Sequence, residues 1–367
     1  MNSKLRVGVV FGGRSGEHEV SLMSASTIIE TLDRDKYEVV PIGITKDGEW
    51  LLSGDPLREL KETAPADRAT APVATGREAT RTLIPVVGTE VSLQQALDVV
   101  IPVLHGPYGE DGTVQGLFEL AQIPYVGAGV LASAVGMDKA VMKDVFRQHG
   151  IPVVASVVVK RKAWRRQPDE VLAEIEEGIG YPCFIKPANL GSSVGISKAH
   201  DRGELPAALD KASEYDRKIV VEQAVENCRE IEVSVLGNDD AMASLPGEIV
   251  PCHEFYDYAA KYIAEGSRLI IPAALPAETA REVQRLAVAA FQAVDCAGMA
   301  RVDCFVTRDS GQIYVNEINT IPGFTRISMY PKLWEASGIG IGELLDRLIA
   351  LAMERHEDKK ASRTSYR

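Results

Sequence analysis

Residues 300–323, ARVDCFVTRDSGQIYVNEINTIPG, constrain the chain more than any other stretch. Asp309-Ser310-Gly311 reads as a three-residue hairpin loop that pairs Arg308 with Gln312. That register sets Asp303 opposite Glu317 and Arg301 opposite Asn319. The two-residue period of a strand then puts all four side chains on one face. Val302, Cys304 and Val306, then Tyr314 and Ile318, fall on the other. Directly opposed carboxylates should cost ~0.2–1 kcal/mol. A divalent cation removes the conflict, and carboxylate plus amide oxygens are the ligands Mg²⁺ prefers. A solvated polar face accounts for most charged strand residues. Here the polar set is segregated and rich in acceptors, which favours the metal.

Upstream, strands over 7–11, 37–44, 98–104 and 124–126 alternate with helices over 21–32 and 113–121, the mark of a parallel sheet with crossover helices. Residues 55–82 are rich in Thr, Ala, Pro and Arg without a period and read as a surface insertion. The middle third offers helices over 138–149, 168–177 and 204–213 and strands over 152–159 and 183–186. Strands over 218–221, 230–236, 300–306 and 312–318 have hairpin-like links, so the last sheet should be largely antiparallel. Helices over 276–295 and 342–354 cover it, and residues 356–367 read as a polar tail. The fold class is α/β followed by α+β, divided as 1–130, 131–217 and 218–356 with a tail at 357–367.

With 367 residues the chain has room for two or three domains. Its 46% hydrophobic and 25% charged residues exclude disorder as a whole-chain reading. Lys+Arg number 40 against 52 Asp+Glu, a net −12, so the basic stripe that nucleic acid requires is absent. A few local lysines can still hold a nucleotide. Cys183, Cys228, Cys252, Cys296 and Cys304 form no CxxC pair and are odd in number, which argues for reduced thiols. No secretory signal pattern and no apolar run of about 18 residues is present, so the expected address is the cytoplasm, away from the membrane.

Three glycine loops add candidates. Strand 183–186 ends in Lys186, and Asn189-Leu190-Gly191-Ser192-Ser193-Val194-Gly195 follows, with backbone N–H groups and hydroxyls suited to cradle phosphate. No GK[ST] follows, so it is not a Walker loop. Residues 12–21, GGRSGEHEVS, follow the first strand of the parallel sheet, where ligands bind. Glu17 there suits an ammonium, whereas Glu19 or Ser21 is explained by helix capping. Residues 105–112, HGPYGEDG, share that rim and make His105 a site candidate. Gly127-Ala128-Gly129-Val130-Leu131-Ala132 matches GxGxxA, but the next strand ends at Lys160 and not at an acidic residue, so it reads as a tight turn.

Together these residues resemble the D-alanine–D-alanine ligases of the ATP-grasp superfamily, over residues 5–354. The motifs are EHEVS at 17–21, HGPYGEDGTVQG at 105–116, MDK at 137–139, GSSVG at 191–195, YDYAAKY at 256–262, ARVD at 300–303 and NEINTIPGFT at 316–325. The resemblance implies an N-terminal α/β domain and two lobes clasping ATP. It implies that Lys139, Lys186 and Lys261 contact phosphates, with Ser192 and Ser193 in the covering loop, and that Glu222 and Glu230 hold adenine and ribose. Asp303, Glu317 and Asn319 match ligands of two Mg²⁺ or Mn²⁺ ions; activation by a monovalent cation is left open. Glu17 would bind the first D-alanine's ammonium beside Val20 and His105, linked to Ser192 and Tyr262 by hydrogen bonds. Arg301 and the Gly323 N–H would form the oxyanion hole, and Ser328 would take the second carboxylate. A homodimer is the family's default assembly.

Tyr262 matches the position that is tyrosine in dipeptide-forming members, which favours an amino acid as second substrate over D-lactate. D-Serine remains the alternative within the fold. A nicotinamide enzyme built on Gly127–Ala132 leaves the polar strand face without a role. A non-catalytic nucleotide-binding module predicts a damaged ligand or donor, and none is seen.

Overall fold

The structure is a computed structural model that describes residues 4–62, 86–87, 97–191, 193–250 and 268–363. Three sheets organise it. The first holds β1 (Leu5–Gly12), β2 (Tyr37–Ile44), β3 (Trp50–Leu51), β4 (Val86–Val87) and β5 (Val99–Val103) in the order β4-β3-β2-β1-β5. β1 runs parallel to both β2 and β5, and β3 is antiparallel to β2. β1 and β5 are apolar throughout their centres because both faces are covered. On one face α1 (His18–Thr31) buries Leu22, Ala25 and Ile28 with Val7, Val9 and Phe11. Residues 56–62, read as aperiodic insertion, instead form α2 (Pro56–Glu62), which buries Pro56 and Leu60; 63–85 lie outside the described residues. On the other face α3 (Thr113–Ala121) packs Val114 and Phe118 with Val10 and Val100. The expected strand over 124–126 reduces to one parallel bridge between Val100 and Tyr125.

α4 (Val130–Met137) and α5 (Lys139–Gln148) follow, the latter capped by the Asp138 side chain. The second sheet contains β6 (Ser156–Lys160), β7 (Cys183–Pro187), β8 (Ser197–Ala199) and β9 (Lys218–Gln223), ordered β6-β9-β7-β8 and antiparallel throughout. α6 (Arg161–Arg166), α7 (Pro168–Gly178) and α8 (Leu205–Tyr215) accompany it, and Ile175, Leu205 and Leu209 fill its core. Residues 218–221 therefore do not join the last sheet. A strand's local pattern states its type but not its partner, and here the edges of β6 and β7 both pair with β9.

The third sheet comprises β10 (Cys228–Gly237), β11 (Met242–Ala243), β12 (Gly247–Val250), β13 (Arg268–Ile270), β14 (Gly298–Thr307) and β15 (Ile313–Asn319). Its order is β13-β12-β10-β14-β15, with β11 on β10, and every pair is antiparallel, as the sequence predicts. α9 (Ala277–Ala293) buries Val283, Leu286, Ala287 and Ala290 against it, joined by Met142 and Phe146 of α5. α10 (Met329–Ala336) and α11 (Ile341–Ala361) turn back to the start of the chain. Tyr330, Trp334, Leu344 and Leu348 pack in the core of the first sheet.

The polar tail is a correction: α11 continues to Ala361. Arg355 donates to the carbonyls of Gly127 and Tyr125 and lies 4.3 Å over the Tyr125 ring, while Lys359 pairs with Glu119 at 2.5 Å. The GxGxxA match marks a tight turn in which Gly127 takes φ +93°. A Cβ at Gly298 would sit 2.9 Å from the Gly127 nitrogen, so the glycines allow two backbones to touch. Among the described residues no helix is long and apolar enough to cross a membrane.

Candidate active site

The hairpin at the heart of the site differs from its expected form in two ways. The Thr307 N–H donates to Gln312 O at 2.9 Å, so the loop has four residues, 308–311, in place of three. Cys304 then faces Val315, Phe305 faces Tyr314 and Val306 faces Ile313. An extra residue, Asn316, bulges from β15 and shifts the register, so Asp303 meets Glu317 and Arg301 meets Asn319 after all. The two departures cancel at the polar positions. They do not cancel further along: Tyr314 is half-buried, and Ile313 and Val315 occupy the apolar face.

Glu232 of β10 lies directly opposite Asp303, so three carboxylates, Glu232, Asp303 and Glu317, stand abreast across three strands. Arg301 divides them. Its Nε and Nη2 each donate to Asp303 at 2.7 Å, and Nε is 3.0 Å from Glu232 Oε2. Asn319 Nδ2 donates to Asp303 Oδ2 at 3.0 Å. Lys139 Nζ lies 3.5 Å from Glu317 Oε2 and donates to Leu190 O in the glycine-rich loop. Opposed, half-buried Asp303 and Glu317 beside an amide make an oxygen-rich donor set that fits a hard divalent cation. Among the described residues no three acidic, thiol or imidazole side chains converge on one metal.

The second sheet contributes a buried charge cluster. Lys186 on β7 donates to Glu222 on β9 at 2.8 Å, and Lys143 of α5 pairs with the other Glu222 oxygen at 3.2 Å. Burial opposes ionisation of Glu222, but Lys143 and Lys186 outweigh it and hold the carboxyl down to about 2. Burial also pulls at Lys186, yet Glu222, Glu317 and Glu230 raise its pKa.

Three glycine loops meet at Glu17, one residue ahead of α1, whose side chain does not cap the helix. A Cβ added at Gly191 would lie 2.7 Å from Glu17 Oε2, and one at Gly106 3.0 Å away. His105 Nδ1 faces Ile321 O at 3.0 Å, so Nδ1 carries the proton and Nε2 is an acceptor. That Nε2 is buried without a hydrogen-bond partner among the described residues. Burial lowers the His105 pKa against the pull of Glu17, which keeps the ring neutral. Glu110 accepts from the Gly106 N–H at 2.7 Å; burial first, and the Glu17 charge second, push it up to about 8. Across the cleft, Ser328 Oγ accepts from the Thr325 N–H at 3.0 Å and sits where a Cβ on Gly323 would come within 3.0 Å.

One cleft of about 860 Å³ gathers Glu17, His105, Lys139, Lys186, Ser193, Glu222, Glu230, Arg301, Asp303, Glu317, Asn319, Gly323 and Ser328. Val20 is not among its walls; in the first turn of α1 its side chain is 1% exposed. Ser192, Lys261 and Tyr262 lie outside the described residues. Lys143, Glu232, Glu110 and Asn316 escaped the sequence reading. Lys143 had a signal, four residues after Lys139 and thus on the same helix face. Glu232 had one too, two residues after Glu230 on a strand.

Two family profiles match this chain, the D-ala D-ala ligase N-terminus over residues 6–128 and the D-ala D-ala ligase C-terminus over 145–350. It is 51% identical over 376 residues to the D-alanine–D-alanine ligase of Heliobacterium modesticaldum, covering 98% of each chain. That of Thermoanaerobacter pseudethanolicus is 52% identical over 358 residues, 97% of this chain and 98% of the other. Among solved structures, the D-alanine-D-alanine ligase from Coxiella burnetii superimposes with TM-score 0.78 at 37% identity, covering 97% and 96% of the two chains. The VanG D-Ala:D-Ser ligase from Enterococcus faecalis does so with TM-score 0.79 at 38% identity, covering 95% and 100%. With both profiles matched in order and relatives half identical from end to end, the chain belongs to the D-alanine–D-alanine ligase family.

Proposed function

We infer that this protein is an ATP-dependent ligase that joins two D-alanines into D-alanyl-D-alanine for peptidoglycan precursors. The observation that carries the reading is one cleft holding both the carboxylate of Glu17, ringed by glycine loops, and the opposed Asp303–Glu317 pair with Arg301. A carboxylate does not yield to an amine at neutral pH, because the leaving group would be oxide. Phosphorylation by ATP turns it into an acyl phosphate; the second amine attacks, and inorganic phosphate leaves.

Each residue has a part in that sequence. Glu17 holds the first ammonium, and neutral His105 offers Nε2 as a further acceptor. Lys139 and Lys186 bind phosphates, with Glu222 and Glu230 toward adenine and ribose. Asp303, Glu317 and Asn319 would hold two Mg²⁺ or Mn²⁺ ions, which neutralise charge on the transferred phosphoryl group. Arg301 and the Gly323 N–H stabilise the tetrahedral oxyanion, where one donor is typically worth ~2.7–4 kcal/mol. Ser328 takes the second carboxylate. The resemblance gives Ser192, Ser193, Lys261 and Tyr262 the role of covering the phosphates, which would exclude water from the acyl phosphate.

The working unit in this reading is an N-terminal domain over 1–130 and two lobes clasping the nucleotide; the pairing of β9 with β6 and β7 supports drawing the joint of the lobes after Gln223 instead of at 217. A cytoplasmic homodimer is the assembly that fits this reading. The test is ADP release with Mg²⁺-ATP and D-alanine alone, then with D-serine or D-lactate added, and products identified by mass. D-Alanine-dependent release with a dipeptide product is the expected result. Release only with a different acceptor moves the second substrate, and none with any D-amino acid rejects the ligase.

A further inference from the structure

Lys143 is 0% exposed, the lowest value of any charged residue described; it lies behind the cleft without lining it and has no part in the chemistry above. Its helix, α5, packs by Met142 and Phe146 into the core of the third sheet, which aims Lys143 between that sheet and the second. The ammonium reaches both. Nζ donates to the backbone carbonyl of Asn316 at 3.0 Å and lies 3.2 Å from Glu222 Oε1. Lys186 holds the other Glu222 oxygen and approaches Asn316 Oδ1 at 3.4 Å. Two lysines, one carboxylate and one bulged residue thus form a closed set across two sheets.

The bulge itself points to a purpose. Cys304 pairs with Val315 and Asp303 with Glu317, so the side chains on either side of Asn316 are already in phase. A β15 one residue shorter would keep Glu317 opposite Asp303 without any bulge. What the additional residue supplies is a carbonyl for Lys143 and an amide for Lys186. An unpaired buried ammonium is costly, so a fully buried lysine persists where its partners are fixed.

We propose that Lys143 is a positioning residue of the nucleotide end of the cleft: it clamps the Asn316 bulge of β15 to Glu222 of β9 and thereby sets Lys186 and the metal-facing strand pair in one geometry. The proposal deepens the ligase reading and rests on it. Lys143 touches no substrate in this scheme; it acts through Glu222, Asn316 and Lys186. Loss of the clamp should therefore weaken MgATP use while leaving the D-alanine sites, centred on Glu17 and Ser328, unaffected.

The experiment is steady-state kinetics on the full chain for wild type, Lys143→Met and a variant lacking Asn316, with MgATP and D-alanine varied separately. KM for MgATP should rise at least tenfold in both variants, with KM for D-alanine within twofold of wild type. A purely structural lysine would lower the active fraction, so kcat would fall with both KM values unchanged; that pattern overturns the proposal. If Lys143→Met does not fold, Lys143→Gln, which keeps a donor for Asn316 O but loses the charge, and the Asn316 deletion carry the same test. Asn316→Ala retains the carbonyl and should sit closer to wild type than the deletion; equality of the two variants also counts against the clamp. An inactive wild type rejects the ligase reading, whereas an active wild type with unmoved MgATP KM in the variants rejects the clamp alone.

Discussion

Asp303 on β14 and Glu317 on β15 face each other in direct register, with Arg301 gripping the first at 2.7 Å and Lys139 lying 3.5 Å from the second. Each carboxylate thus has a cation of its own, but the oxygens remain side by side on one half-buried face. Activity should respond to this pair far more than stability.

Glu317→Gln removes a like charge from beside Asp303 but also the partner of Lys139, so folding stability should stay within ~1 kcal/mol of wild type. Metal-assisted transfer loses several kcal/mol, so kcat should fall by ~100-fold or more. Thermal melts and ADP release on one preparation check both. Retained turnover would sink the metal assignment.

Glu17→Gln keeps the shape of the proposed first ammonium site but not its charge. Hydrogen bonds to charged groups are worth ~1.5–3 kcal/mol, a tenfold to hundredfold change. KM for D-alanine should rise by that factor with KM for ATP unmoved. An unchanged D-alanine KM removes Glu17 from substrate binding.

Glu110 should make stability depend on pH. Its carboxyl ordinarily titrates at 4.5, and burial with the Glu17 charge lifts it to about 8 in the folded chain. Between those values the folded state keeps a proton that the unfolded state has released, so stability falls as pH rises. Glu110→Gln does not titrate, and its stability relative to wild type should climb across that window. Denaturation midpoints that stay parallel over the window would show that Glu110 is ionised throughout.

Arg355→Ala should destabilise the fold without altering either KM. The substitution strips donors from the Gly127 and Tyr125 carbonyls and a cation from the Tyr125 ring. The loss should be ~1–3 kcal/mol by denaturant titration. A neutral result would mean that the end of α11 is not docked in solution.

Tyr262→Phe addresses the second substrate. Without its hydroxyl the link to Ser192 and Glu17 that the family resemblance implies would be lost, and discrimination against D-lactate should loosen. Competition between D-alanine and D-lactate, read as product masses, measures it; an unchanged ratio takes Tyr262 out of the specificity argument.

Patterns carried by neighbouring residues were legible from the chain alone. The bounds of β2 and α3, the polar face of Arg301 and Asp303, and the position of Glu17 ahead of α1 all follow from spacing of two or 3.6 and from turn glycines. Features that needed a distant partner were not. β9 was recognisable as a strand, but its choice of the second sheet depended on the edges of β6 and β7. The helix beyond residue 354 looked unsupported until Tyr125 and Glu119 were in place beside it.

The hairpin shows the division most clearly. Alternation along residues 300–319 was enough to put Arg301 with Asp303 and Glu317 with Asn319 on polar strand faces, and the sequence by itself determined which chemistry those faces would carry. Whether the pairing came through a three-residue loop, or a four-residue loop and a bulge, depended on what lay behind the strand. Lys143, 173 residues away along the chain, required a carbonyl at the place where Asn316 now bulges. Local sequence sets side-chain period because period is a property of one backbone. It does not set a buried ammonium's partners, because those are fixed only when separate elements pack and water is gone.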